Sequence, residues 1–419
     1  MAVAENIMAK SRAASPSSPR PRAAAAINQA AHGASAATAD APDRLHAHLA
    51  DYGEIALVLQ GGGALGAYQG GIYEALDAAG VRIDRIAGIS IGAINAALIA
   101  GNPPARRLPA LREFWRLVTR QPLLPPSPWE LAEDVLEWPA PLREWQGHLE
   151  SLRAIIEGQR GFFQPRADLL LHAPHFTSFY DTAPLRGTLE KLVDFDLLNR
   201  GPVRLSVAAV NVESGNFEVF DSRDTRIGPE HIMASGALPP GFPPVQVGKH
   251  WYWDGGLVSN TPLMQVLGGH PKQHTLVFQV DLWNARGALP KDLGQVLSRQ
   301  KDIQYSSRTR AITDLLERAH QQRHILRELL ARIPPGKRDA LCAQVAEMAR
   351  DERYNVVHLI YRDKAMDGHE KDYQFGRRAM LRHWQAGLAD ARATLQHADW
   401  FALPDAARPF VTHDLHRHG

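Results

Sequence analysis

The sequence predicts an α/β protein: a three-layer αβα sandwich with a mainly parallel central sheet, followed by a mainly helical C-terminal extension. Three observations carry that expectation. The apolar run Ile55-Ala56-Leu57-Val58-Leu59 closes on Gly61-Gly62-Gly63 and reads as a buried strand entering a tight loop. A helical pattern from Ala67 to Ala79 follows, stopped by Gly80. A second strand, Ile83 to Ile89, ends at Ser90 and leads into the helix-forming stretch Ala93 to Ala100. Strand, helix, strand, helix is the order that lays parallel strands side by side with helices on the faces.

The elements follow in chain order. Residues 1–50 form an Ala, Ser and Pro-rich tail with no apolar period that could pack a core, and are expected to be disordered. No apolar stretch there matches the roughly 7 to 15 residues of a secretory signal core, and no run of about 18 apolar residues occurs elsewhere, so a cytoplasmic protein is the default. Residues 51–281 form the expected core domain, with residues 102–175 as a proline-broken, aromatic insertion or lid. Within it, Pro103, Pro104, Pro122, Pro125, Pro126 and Pro128 interrupt short helical patterns. Val203 to Val210 and Phe217 to Phe220 read as a hairpin turned by Glu213-Ser214-Gly215-Asn216. Trp251 to Trp253 and Leu276 to Val280 are further short strands. Residues 282–419 read as the extension: helices over Arg299 to Arg310, Thr313 to Leu330 and Gly376 to Leu395, with a strand at Val356 to Tyr361.

Composition narrows the function. With 47 Lys plus Arg against 45 Asp plus Glu, the net charge of +2 supplies no field for nucleic acid, so no nucleic-acid partner is expected. Cys342 is the only cysteine, which excludes an internal disulfide and a cysteine-based metal cluster. No metal site and no cofactor is assigned.

Gly88-Ile89-Ser90-Ile91-Gly92 sits at a strand-to-helix junction. A nucleophilic serine must stand clear of its backbone in a strained turn, and flanking glycines let strand and helix approach without Cβ clashes. The pentapeptide alone fits a serine helix cap equally well. Gly61-Gly62-Gly63-Ala64-Leu65-Gly66 raises the case, because acyl transfer needs unobstructed backbone N–H groups around a developing oxyanion. Gly61, Gly63 and Gly66 also fit a dinucleotide fingerprint, but the acid it needs at the carboxyl end of the second strand is missing: Asp84 begins that strand and Ser90 ends it. The third element is Trp251-Tyr252-Trp253-Asp254-Gly255-Gly256, where an acid leaves a short strand into a glycine turn. A serine hydroxyl needs a neighbouring base, and Asp254 is the candidate.

These three motifs, in this order, resemble the patatin-like phospholipase family, in the bacterial form that carries a C-terminal extension. Ala234-Ser235-Gly236-Ala237-Leu238-Pro239, Phe242-Pro243-Pro244, Asn260 and Pro262 resemble segments around that family's base, and the likeness covers about Glu54 to Asp281. Leu65 stands where many members carry Arg or Lys. The resemblance implies a lipid acyl hydrolase with a Ser-Asp dyad: Ser90 as nucleophile, Asp254 as base, and Gly61, Gly62, Gly63 and Ala64 around the oxyanion. Its substrate would be a lipid or other acyl ester, with peripheral contact to a membrane. An acyltransferase and a non-catalytic lipid-binding protein are the alternatives, and a Ser-His-Asp triad using His270 or His274 is the alternative mechanism. Trp115, Trp129, Trp138, Trp145, Phe162 and Phe163 are candidates for a lid or for ordinary core. Arg299, Lys301, Arg308 and Arg310 are candidates for headgroup contacts or for a solvated face. Oligomeric state is not legible.

Overall fold

The computed structural model describes residues 41–119, 156–166, 176–268, 273–307, 309–349, 352–362 and 371–415. The expected disordered tail lies outside these residues up to position 40; its last part is instead a helix, α1 (Ala41–Leu49), which buries Leu45 and Leu49.

Strands β1 (Glu54–Leu59) and β2 (Arg85–Gly88) form as the apolar runs predict, almost wholly buried because helices cover both faces. Between them lies α2 (Ala67–Ala78), ended by Gly80 at φ 66, a left-handed position that glycine occupies without Cβ strain. After β2 comes α3 (Ile91–Ala100), buried on every side, and then α4 (Pro104–Val118). Pro103 and Pro104 begin α4 instead of interrupting it, since a proline in the first turn lacks only an N–H that would have no helical partner. Residues 164–165 and 180–181 pair as a minimal ribbon, β3 (Gln164–Pro165) with β4 (Tyr180–Asp181). Helices α5 (Ala183–Leu192) and α6 (Phe195–Arg200) lead to β5 (Arg204–Asn211), hairpinned to β6 (Phe217–Asp221) as predicted. Then come α7 (Pro229–Ser235), β7 (Val245–Val247), β8 (His250–Asp254), α8 (Leu263–Leu267) and β9 (Thr275–Asp281).

The C-terminal part is helical but not separate. It contributes α9 (Leu293–Tyr305), α10 (Thr309–Ala331), α11 (Ala340–Met348), β10 (Tyr354–Ile360), α12 (Arg377–Leu395) and β11 (Phe410–Asp414). The first of these helices starts earlier than the sequence pattern suggests because Asp292 caps it, accepting from the Gln295 amide at 2.8 Å. β10 and β11 extend the main sheet, whose order runs β11-β10-β9-β1-β2-β5, all parallel. Helix α12 lies across α2 at glycine contacts: a Cβ on Gly71 would collide with the Trp384 carbonyl, and one on Gly387 with the Tyr68 carbonyl. Trp384 Nε1 donates to Glu74 at 2.7 Å, and the Tyr68 hydroxyl to Asp390 at 2.7 Å.

One detail of the sheet positions everything that follows. Along β5, Val207 pairs with Gly88 of β2 and Ala209 pairs with Asp254 of β8, while β6 occupies the other edge. β2 runs toward β8 along the same edge, and β8 runs back toward β2. Their ends meet beside β5, two residues apart.

Candidate active site

Ser90 and Asp254 stand at that meeting point. Ser90 has φ 54 and ψ −123, the single non-glycine residue with positive φ among the described residues. That conformation costs a serine on the order of 1–3 kcal/mol and persists only where its surroundings enforce it. Here they do: a Cβ on Gly88 would strike the Gly92 carbonyl, and one on Gly92 would strike the Leu59 carbonyl, so both glycines of the pentapeptide are required by packing. The Ser90 amide donates to Ser235 Oγ at 3.1 Å, fixing the turn from the side of α7. The serine is partly exposed, facing a cleft that the glycine loop also lines.

Asp254 is 3% exposed. Its amide donates to the Ala237 carbonyl at 3.0 Å, so one short segment, 234–238, braces both residues. Its carboxylate accepts from the Gly256 amide at 2.7 Å, and the Ser90 hydroxyl lies near enough to favour its ionised form. Burial outweighs both of these influences and pushes the carboxyl up to about 7. Gly255 fits because a Cβ there would lie 2.6 Å from the Ala208 carbonyl.

The glycine loop forms the third wall. Gly61 donates to the Asn260 carbonyl at 3.4 Å, so its N–H is engaged and does not point at a ligand; this removes Gly61 from the expected set of oxyanion donors. Its role is close approach, since a Cβ there would lie 2.5 Å from Asn260 Oδ1 and 3.0 Å from Ser90 Cβ. The Gly61 carbonyl accepts from Trp283 Nε1 at 2.7 Å and from Asn260 Nδ2 at 3.0 Å. By contrast the amides of Gly62, Gly63 and Ala64 meet no acceptor among the described residues. Gly66 sits deeper, packed against Ile91 and Trp115, and Leu65 is fully buried, so no cation stands there.

Of the alternative triad's histidines, the one described residue stands away from this site. His274 precedes β9 at the amino end of the parallel strands, where its Nδ1 accepts from the Arg353 amide; His270 lies outside the described residues. Asp84 likewise sits at the amino end of β2, accepting from the Ile55 amide at 2.8 Å. Among the described residues no group of three or more His, Cys, Asp or Glu could hold a metal ion.

The rest of the cleft is aromatic. Phe162, Phe163, Phe242 and Phe375 pack with ring centroids 5.2 to 6.4 Å apart, drawn from three distant stretches of chain. Trp115 is core, donating to Asn95, while Trp129, Trp138 and Trp145 lie outside the described residues. Arg299 donates to the carbonyls of Asn284 and Ala285, and Lys301 pairs with Asp372; Arg308 and the Arg310 side chain lie outside the described residues. Sequence reasoning missed Ser235 as a brace, and it missed Trp283, Tyr305 and the 372–375 stretch as walls. Trp283 was findable, two residues past the carboxyl end of β9, where ligands of parallel sheets bind.

A family model described as Patatin-like phospholipase matches residues 57–267, half of the chain and all three motifs. The chain belongs to the patatin-like phospholipase family. A second model, described as Patatin phospholipase, matches residues 303–407 of this patatin-like chain, the C-terminal region. No curated protein matches it. Similar solved structures include VipD from Legionella pneumophila, at 14% identity over 82% of this chain and 67% of that one, with a TM-score of 0.34. Human GIVD cytosolic phospholipase A2 follows at 12% identity over 88% and 64%, TM-score 0.40, and the type III effector protein ExoU at 15% over 83% and 53%, TM-score 0.32. The patatin-like chain thus spans about half to two thirds of the length of those proteins.

Proposed function

We propose that this patatin-like chain is a lipid acyl hydrolase working through a Ser90-Asp254 dyad. The observation that carries the reading is a strained, cleft-facing serine set beside a buried carboxylate pushed up to about 7, next to three amides with no acceptor among the described residues. A base with that value is half ionised near neutral pH and can take the hydroxyl proton.

In the proposed cycle Ser90 Oγ attacks the ester carbonyl carbon and its proton passes to Asp254. The carbonyl oxygen becomes an oxyanion held by the amides of Gly62 and Gly63, with Ala64 completing the set. Collapse expels the alcohol, which leaves with the proton from Asp254. Water then attacks the acyl-enzyme, gives a proton to Asp254, and releases the fatty acid as Ser90 recovers its hydrogen. The aromatic cleft supports an acyl chain as the group held, since it offers apolar rings and few polar partners. No helix among the described residues is long and apolar enough to cross a membrane, so a lipid substrate would be met at a surface.

A fluorophosphonate probe tests the nucleophile: we expect labelling of the native chain at Ser90 and none in Ser90→Ala. Labelling that survives the substitution would refute the assignment.

A further inference from the structure

The turn Lys371–Tyr373 belongs to the far C-terminal part of the chain, yet it grips the glycine loop. The Asp372 carbonyl occupies the space that a Cβ on Gly63 would need. Lys371 Nζ lies 4.9 Å from the centre of the Trp283 ring, and that same indole donates to the Gly61 carbonyl at 2.7 Å. Lys371 is buried and bonded to buried Asp302 at 2.7 Å, while Lys301 bonds Asp372 at 2.7 Å. Consecutive Lys-Asp residues of α9 thus meet consecutive Lys-Asp residues of the turn in crossed pairs. The reversed orientation would set Lys against Lys and Asp against Asp, so the pairs fix how the turn docks.

Because a trans peptide points its C=O and the next N–H in opposite directions, whatever holds the Gly61 carbonyl also aims the Gly62 amide. We propose that Trp283, braced by the Lys371–Asp302 pair, is a positioning residue for the oxyanion loop, so that the C-terminal turn completes the hydrolytic site. This rests on the reading of Ser90 as nucleophile.

The full-length chain carries the test, assayed on a soluble short-chain nitrophenyl ester. Trp283→Phe keeps the ring under Lys371 but removes the donor to Gly61. Lys371→Met with Asp302→Leu removes both charges together and leaves neither one buried alone. We expect each to lower kcat by about tenfold or more, short of the roughly 10²–10³ that outright loss of one oxyanion donor costs, with KM nearly unchanged. Fluorophosphonate labelling of Ser90 should slow in parallel, and Lys371→Arg should retain most of the native kcat. Native kcat in Trp283→Phe and in the double variant overturns the proposal, as does a loss of kcat that only tracks the loss of folded protein by circular dichroism. Turnover persisting in Ser90→Ala would instead overturn the nucleophile assignment.

Discussion

Asp254 is ionised at a cost, because no cation among the described residues answers it: its carboxylate accepts from the Gly256 amide, with the Ser90 hydroxyl nearby. Its folded value of about 7 stands above the ordinary 3.8, so the folded chain holds a proton there that the unfolded chain has already released. The stability this contributes is complete below about pH 4 and is lost as pH rises through 7. Two outcomes follow at this single residue. Activity should rise with pH across an apparent value near 7, and a pH-rate profile on a soluble ester checks it. Asp254→Asn should abolish turnover and yet melt several degrees above native at pH 8, by up to about 4 kcal/mol, with no gain at pH 4. Calorimetry at the two pH values decides; an unstable variant at pH 8 would contradict the burial argument.

At the scale of elements, α2 and α12 approach so closely that only glycine fits at Gly71 and Gly387. Gly387→Val should therefore force the helices apart and cost at least about 1–3 kcal/mol, read as a lower urea midpoint, whereas Gly187→Ala, inside helix α5 where a Cβ meets nothing, should stabilise by up to about 1 kcal/mol. These elements also divide what the sequence reveals from what it hides. β1, α2, β2 and α3 were legible because continuous apolar runs and glycine stops leave little choice of period or boundary. The motif residues were legible because close backbone approaches demand glycine itself, which shows in the sequence as a cluster: Gly88 against Gly92, and Gly255 against Ala208. Trp283, Tyr305 and Lys371 were hidden because their importance lies in contacts between distant segments, as when the Tyr305 carbonyl accepts from both Gln60 and Asn260 at 3.0 Å. The engagement of the Gly61 N–H was hidden for the same reason, since its acceptor is the distant Asn260 carbonyl.

For the whole molecule, the C-terminal region shares the sheet and the site with the core. β10 covers the edge of β9, whose Leu276, Phe278 and Val280 are fully buried, and α12 covers α2. A chain ending at Val280 would bare that strand edge and a broad apolar helix face, and would lose Trp283 and Tyr305 from the cleft. We expect it to aggregate and show no turnover; size exclusion that returned a monodisperse, folded core would contradict this.

The apposition of Ser90 and Asp254 is measured across the sheet, by the two-residue step from Val207 to Ala209 on β5, and not by the length of chain that joins them. Chain that joins the strands without entering the sheet can therefore change in length without retuning the chemistry. Strand β5 has no such licence: one residue gained or lost between 207 and 209 would turn its side chains to the opposite face and part the serine from its base.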